Sequence, residues 1–298
     1  MALQESYTSP SAGQTNADVV IPAGGSAAAA EALAQAGVIR HKLVFRLAAY
    51  FTRGDGVLHT GEFIFPAHAS IKDILNILRH GQQVEHQVTI PEGLTGAQIA
   101  TIINGAPDAS GQIAPPPDGS VLPQTYSYLW GTPRAAILAR AEAAMQASLD
   151  TAWPNRDPKA PLATPQEALI LASIVQQETP LGHELPLVAA VYENRLRLGM
   201  KLQADPTVIY AATGGKQSGG TSISRADLAN PSPYNTYAHA GLPPGPICAP
   251  GAAAIDAVLH PAKSDALYFV ATGTGGHVFS HLFKDQLRNI EHLFGARR

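Results

Sequence analysis

A short unit recurs three times in the first third of the 298-residue chain. Each copy has a brief apolar run, a proline, and a serine or threonine four residues after the proline, at residues 19–26, 63–70 and 88–95. Proline ends a strand and a hydroxyl side chain caps a helix, so each copy predicts strand, turn and helix. Helices are expected at about 28–36, 71–79 and 95–104. The pattern favours a small α+β domain, which serves either as a binding domain or as plain scaffold.

The composition is that of a folded globular protein. Hydrophobic residues make up 45% of the chain and charged residues 14%, which is enough apolar material for a sizeable core. The net charge of −3 excludes the strong basic footprint of a nucleic-acid partner. No stretch reaches the roughly 18 apolar residues of a membrane span, and the start lacks a signal-peptide pattern. These features fit either a soluble cytoplasmic protein or a chain that lacks its membrane anchor.

Metal and cofactor chemistry has little support in the residue pattern. The single cysteine, Cys248, excludes an internal disulfide and a cysteine-rich zinc site. The eleven histidines lack metal-ligand spacing, and no HExxH, GxSxG, Walker or GxGxxG motif is present. We therefore expect no metal and no cofactor.

Turn-rich segments divide the chain. Residues 1–18 are polar and rich in Gly and Ser, which predicts a flexible tail. A Pro, Gly, Ser and Asp-rich loop at 105–120 predicts a boundary between a region at 19–120 and a second domain at 121–298. A helix is expected at about 133–152, early in the second domain.

Glu178 ends a helix that is predicted to begin at Thr164, where Thr164 and Glu167 have capping-box spacing. Glu178 lies four residues after Ile174 and seven after Leu171, so one helix face carries both apolar side chains and the carboxylate. Burial and the negative end of the helix dipole both raise the pKa of such a carboxylate, as a general acid near neutral pH requires. The alternative is a glutamate that reaches solvent at a frayed helix end.

The segment after Glu178 alternates helices with stiff polar loops. A helix is expected at about 184–198, and Asp205-Pro206 fits the N-cap and first residue of another. Residues 230–246 are dense in Tyr, Asn and Pro, which suits a sugar-binding groove, although ordinary surface turns are the alternative. A β-hairpin at 267–280, whose His277 would order it, and a helix at about 282–294 complete the pattern.

Many of these motifs, in the same order, resemble the MltG (YceG-like) family of endolytic murein transglycosylases. The resemblance covers roughly residues 18–295. The segments that carry it include Glu178-Thr179, Asn194-Arg195-Leu196, Leu202-Gln203, Asp205-Pro206-Thr207, Tyr234-Asn235-Thr236-Tyr237, Gly241-Leu242-Pro243-Pro244-Gly245 and Gly275-Gly276-His277. It implies an α+β fold: a LysM-like α/β region at 19–120 that would bind glycan, and a mainly helical, lysozyme-like catalytic domain at 121–298 with a C-terminal hairpin.

The resemblance also implies a reaction and a site. Glu178 would be the catalytic acid and base in cleavage of the β-1,4 bond between N-acetylmuramic acid and N-acetylglucosamine, which leaves a 1,6-anhydro end. The residues that would bind substrate are Gln203, Tyr234, Asn235, Tyr237, Thr179 and Asn194. The chain departs from many relatives at Gln176, where they have a second Glu, and near Gln286, where they have a His.

The implied setting is the periplasmic face of the inner membrane. The partners would be nascent peptidoglycan strands and peptidoglycan synthases, with membrane contact only through an anchor absent from this chain. Two alternatives stay open. A hydrolase would pair Glu178 with Asp205 as second carboxylate, although Asp205 fits a helix cap better. A non-catalytic scaffold would bind peptidoglycan without cleaving it.

Overall fold

The computed structural model of the chain describes residues 7–10, 13–220, 222–273 and 275–295, and its fold is α+β, as predicted. The chain forms two compact units. The first contains the described residues up to Val88 together with Ala106–Gly111 and Ser127–Pro133, and the second contains the rest. This division differs from the predicted boundary at 120, because the helix that follows the third repeat belongs to the second unit. The LysM-like character of 19–120 stays a prediction.

The first unit is built on a two-stranded antiparallel sheet. Its elements are β1 (Ala17–Ile21), α1 (Gly25–Gln35), α2 (Lys42–Phe51), β2 (Gly61–Phe65), α3 (Ile71–His80) and most of β3 (Glu85–Thr89). Val19 of β1 pairs with Phe63 of β2, and both side chains are buried in the core that the three helices cover. The last two residues of the tail predicted at 1–18 belong to β1, which begins at Ala17. Residues 1–6 and 11–12 of that tail lie outside the described residues.

The three repeats form strand–turn–helix units, as predicted, and two of the three helices are capped as expected. Ser70 and Asp73 form a capping box at the start of α3. Thr95 and Gln98 do the same for α4 (Gly96–Asn104). The first repeat is an exception, because α1 begins at Gly25 and Ser26 lies inside the helix rather than capping it.

The second unit is mainly helical. After α4 its elements are β4 (Thr125–Leu129, whose last three residues belong to the first unit), α5 (Arg134–Ala152), α6 (Pro165–Glu178), α7 (Leu185–Arg197), α8 (Asp205–Thr213), α9 (Arg225–Leu228), α10 (Ala252–Leu259), β5 (Tyr268–Ala271), β6 (His277–Ser280) and α11 (Phe283–Phe294). β3 pairs with β4, and β5 pairs with β6 in the predicted antiparallel hairpin. α6, α7 and α10 pack on one another, and every residue of α6 from Ala168 to Val175 is buried.

Two capping predictions in the second unit are wrong. Thr164 caps α6, but the carboxylate of Glu167 accepts the backbone N–H of Ala163 and not that of Thr164, so the capping box is incomplete. Ala204, not Asp205, is the N-cap of α8. The Asp205 carboxylate instead accepts a hydrogen bond from the hydroxyl of Tyr237, at 2.6 Å.

α2 is an element that is not predicted from the sequence. Its apolar residues include buried ones, such as Phe45 and Ala49, and exposed ones, such as Leu43 and Phe51. Within the described residues, no helix has both the length and the apolar character needed to cross a lipid bilayer.

Candidate active site

A cavity of about 250 Å³ in the second unit has Glu178 in its wall. Five parts of the chain form it: the end of α6, the face of α7 that carries Tyr192 and Arg195, the turn that leads into α8, the loop that carries Tyr237, and the β5–β6 hairpin. The lining residues are Glu178, Tyr192, Arg195, Leu202, Gln203, Asp205, Tyr237, Phe269, Val270, Ala271 and His277.

Glu178 is the last residue of α6, and Pro180 prevents the helix from continuing. The buried run of α6 holds the backbone of this residue, while its carboxyl reaches the cavity. The hydroxyl of Tyr192 donates a short hydrogen bond to Oε1. The structure records no protein hydrogen bond to Oε2 within the described residues, so that oxygen is available to carry a proton toward a ligand.

The pKa of Glu178 is raised from 4.5 to about 7, mainly by burial and in smaller part by the nearby Asp205 carboxylate. The hydrogen bond from Tyr192 and the Arg195 guanidinium act in the opposite direction. A pKa near 7 leaves a large protonated fraction at neutral pH, which is the state a general acid needs. The predicted direction and its main cause, burial, are confirmed.

Arg195 is held rigidly beside this acid. Its Nε donates to the carbonyl of Leu267 at 2.7 Å and its Nη1 to the carbonyl of Leu202 at 2.6 Å. The guanidinium also lies over the ring of Tyr268, with Cζ 5.3 Å from the centroid. The guanidinium therefore joins α7 to the hairpin and to the turn before α8, and it fixes a positive charge at the cavity.

His277 joins the hairpin to the turn after α6. Its Nδ1 lies 2.7 Å from Oε2 of Glu184, and its backbone N–H donates to Oε1 of the same carboxylate. Thr179 donates to Glu184 as well. Burial by itself would raise the pKa of Glu184, but these hydrogen bonds outweigh it and hold that pKa below its usual range. The contacts support the predicted ordering role of His277.

Gln203 has a backbone conformation that side chains rarely adopt, with φ of 50°. A non-glycine residue in the left-handed region costs about 1 kcal/mol. The turn is held by the N–H of Gln203, which donates to the carbonyl of Thr236, and by the N–H of Ala204, which donates to the Thr236 hydroxyl. Strain of this kind at a cavity wall is typical of residues that are positioned for function.

Of the seven predicted site residues, Glu178, Gln203 and Tyr237 line the cavity and the other four do not. Asn235 is fully buried, and its amide is committed to the backbone: Nδ2 donates to the carbonyls of Leu228 and Asn230, and Oδ1 accepts the N–H of Tyr237. The Asn235 side chain therefore does not face the cavity that Glu178 and Gln203 line.

The remaining three predicted residues also have structural contacts. Tyr234 packs against Tyr210, with ring centroids 4.7 Å apart. Thr179 is buried and its hydroxyl donates a hydrogen bond to the Glu184 carboxylate. The Asn194 amide donates to the carbonyls of Ser264 and Ala266. These contacts explain why motif residues lie beside the site without facing it.

Three residues at or beside the cavity are not predicted from the sequence. Tyr192 and Glu184 have no signal of their own in the sequence, and Arg195 stands in the Asn194-Arg195-Leu196 motif without a predicted role. Gln286 has a structural role in this chain, since it accepts from the Ser280 hydroxyl and donates to the carbonyl of Phe269, which ties α11 to the hairpin. In the described part of the chain, no group of three or more His, Cys, Asp or Glu side chains is arranged to hold a metal ion.

The site and fold together define an α+β protein with one acidic side chain of near-neutral pKa in a cavity. A family model described as the YceG-like family matches residues 19–292, and the chain belongs to that family. A yceG-like protein from Listeria monocytogenes, solved by crystallography, superposes with a TM-score of 0.58 at 26% identity. The superposition covers 92% of this chain and 98% of that one.

Two relatives are each named endolytic murein transglycosylase. The protein from Bacillus subtilis is 40% identical over 129 residues, which is 43% of this chain and 35% of that protein. The protein from Streptococcus pneumoniae is 29% identical over an alignment of 309 positions that covers 88% of this chain and 55% of the relative. The chain therefore spans about half or less of the length of these relatives.

The raised pKa of Glu178 predicts a pH-dependent stability effect. Between its ordinary pKa of 4.5 and about 7, the folded chain keeps the Glu178 proton while the unfolded chain releases it, so rising pH destabilises the fold. The Glu178→Gln variant has a neutral amide at this position, which does not titrate, so it does not lose stability in this way. We expect the variant to gain stability relative to the parent from pH 5 to pH 8, by on the order of 2 kcal/mol. Urea unfolding at several pH values measures the difference, and a difference that does not change with pH would contradict the assignment.

Proposed function

We propose that the chain is an endolytic lytic transglycosylase of murein, with Glu178 as its single catalytic acid and base. The observation that carries the proposal is the one carboxyl of near-neutral pKa in the cavity wall, held at Oε1 by Tyr192. Membership of the YceG-like family and the names of the two relatives support the substrate class.

In the proposed reaction, protonated Glu178 gives its proton to the glycosidic oxygen as the bond from that oxygen to C1 of N-acetylmuramic acid breaks. The resulting carboxylate then takes the proton of the C6 hydroxyl of the same sugar, whose oxygen bonds to C1 and closes the 1,6-anhydro ring. One carboxyl thus acts twice, and no second carboxylate or water is needed. The nucleophile is part of the substrate, which gives it a high effective concentration.

Gln203 and Tyr237 are the proposed substrate contacts. The Gln203 amide can bind the 2-acetamido group and the charge that develops beside C1. The hydroxyl of Tyr237 donates to Asp205, and burial raises the pKa of this phenol, so it stays protonated. Arg195 gives the cavity a fixed positive charge, which suits the carboxylate groups that murein carries.

A hydrolase that uses Glu178 with Asp205 is the second candidate. It is favoured by the position of Asp205, which lines the cavity with Glu178 and does not cap α8. In that reaction Asp205 would activate water or attack the sugar, and the product would have an ordinary reducing end. A scaffold that binds glycan without cleavage is the third candidate, and the intact Glu178 speaks against it.

Mass spectrometry of the products from purified murein separates these candidates. We expect new ends that are lighter by one water than reducing ends, both with the unmodified chain and with Asp205→Asn. Removing the Asp205 charge lowers the pKa of Glu178, so this variant should be slower but should give the same end. Reducing ends, together with complete loss of cleavage in Asp205→Asn, would favour the hydrolase. Retention of glycan without any cleavage would favour the scaffold.

The wider setting is part of the same proposal. Residues 19–120 would act as a LysM-like glycan-binding region, and the catalytic part would face the periplasm beside the inner membrane. The substrate would be nascent glycan strands, and peptidoglycan synthases would be the neighbouring partners. The family resemblance and the names of the relatives are what support this setting.

A further inference from the structure

α2 has an apolar face that none of the described residues of its own unit covers. The opposite face is buried in the core of the first unit through Phe45 and Ala49. The outer face exposes four large apolar side chains, namely Leu43 (70% exposed), Leu47 (44%), Tyr50 (60%) and Phe51 (74%). Leu43, Leu47 and Tyr50 follow helical spacing and form one row. Contiguous exposed rows of this kind mark interaction surfaces, unlike single exposed residues.

The same segment is strongly basic. Residues 40–53 contain three arginines, one lysine and no acidic residue, although the whole chain has a net charge of −3. Lys42 and Arg46 are four residues apart and share one side of α2, and Arg53 follows just after the helix ends. Lys42 is paired with Glu31 at 2.5 Å, and the Arg53 guanidinium lies 4.4 Å from the centre of the Tyr50 ring.

We propose that this face of α2, defined by Leu43, Leu47, Tyr50 and Phe51 with the basic side chains beside them, docks on an anionic lipid bilayer. The helix would lie parallel to the surface with its apolar row among the headgroups and upper acyl chains. At ten residues it is about 15 Å long, too short to span. Basic residues beside large apolar and aromatic ones are typical of helices that lie in the membrane interface.

Charge complementarity selects this occupant over others. A second copy of the chain would offer the same basic segment, without acidic residues in it to compensate the charge. A glycan strand with carboxylates would pair with the arginines but would leave the leucines and Phe51 in water. An anionic bilayer satisfies both features, since its surface attracts arginine and lysine and its interior accepts the apolar row.

Sedimentation of the full chain with vesicles tests the proposal. We expect the chain to bind vesicles that contain phosphatidylglycerol and not vesicles of phosphatidylcholine alone, and to bind less as salt is added. The variant Arg40→Gln with Arg46→Gln should bind about 30-fold more weakly, because each charge contributes about fivefold. The variant Leu43→Ser with Leu47→Ser should bind at least about tenfold more weakly.

α11 offers a matched control. Phe283 and Leu287 form a similar exposed row, but Lys284 and Asp285 beside them carry opposite charges. Phe283→Ser with Leu287→Ser should bind vesicles as the parent does. In a second measurement that does not depend on loss of binding, Leu47→Trp should show a blue shift of its fluorescence with phosphatidylglycerol vesicles only.

Three results would overturn the proposal. One is equal binding, or none, to the two kinds of vesicle. Another is unchanged binding in the folded α2 variants, with no shift in Leu47→Trp. A third is α2 variants that change only the self-association of the chain in analytical ultracentrifugation, which would make a second copy the occupant.

Discussion

Replacing Glu178 by Gln is expected to reduce release of murein fragments by about 10³-fold or more, because the neutral amide neither gives nor takes the proton. The side chain keeps its shape and still accepts the hydroxyl of Tyr192, so folding should be retained. Chromatography of fragments from purified murein measures the loss, and circular dichroism verifies the fold.

Glu167→Gln is the matched control, because Glu167 lies in the first turn of the same helix and undergoes the same chemical change. Its carboxylate accepts the N–H of Ala163, which an amide oxygen can also do, so activity should stay near that of the parent. Normal turnover by Glu178→Gln would remove this residue from the mechanism. Equal loss in both variants would point to damage of α6 and not to lost chemistry.

Arg195→Met is expected to lower the free energy of unfolding by about 3 kcal/mol. The substitution leaves the carbonyls of Leu202 and Leu267 without their charged donor, and hydrogen bonds to charged groups are each worth about 1.5–3 kcal/mol. Because the guanidinium lowers the pKa of Glu178, its loss should also move the alkaline limb of the activity profile to higher pH. Urea unfolding and a pH profile of fragment release measure the two effects.

Arg288→Met on α11 controls for the loss of an arginine as such. Arg288 is exposed, and its one recorded ion pair is with Asp285 of the same helix, so the change should stay within about 0.5 kcal/mol. A loss that small in Arg195→Met would mean that the tie between α7 and the hairpin is not held by this guanidinium. An unchanged pH profile would mean that Arg195 does not act on the Glu178 proton.

Local signals in the sequence predict most of the elements. Proline and hydroxyl spacing gives α3 and α4 with their caps, and apolar periodicity gives α5 and α6 to within a few residues. Errors occur where a side chain has a choice of partners. The position of Asp205 before proline predicts a helix N-cap. In the fold, its carboxylate instead accepts a hydrogen bond from the hydroxyl of Tyr237, and Ala204 is the N-cap.

The same distinction between local signals and tertiary contacts applies to the residues of the candidate site. Glu178 is predictable, because a carboxylate in the apolar stripe of a helix is desolvated whatever packs on that stripe, and the pKa moves as expected. Asn235 and Asn194 stand in motifs beside the site, but their amides satisfy backbone carbonyls, which no spacing in the sequence reveals. Tyr192 lies fourteen residues beyond Glu178 and meets it only because α7 packs on α6.

The sequence by itself determined where most strands and helices lie, with α2 as the main exception, and which carboxyl would be desolvated, since both depend on neighbours within a few positions along the chain. Only the tertiary structure decided which groups face that carboxyl. The contacts of Arg195, His277 and Asp205 join segments far apart in the chain, and their partners are fixed by the packing of α6, α7 and the hairpin.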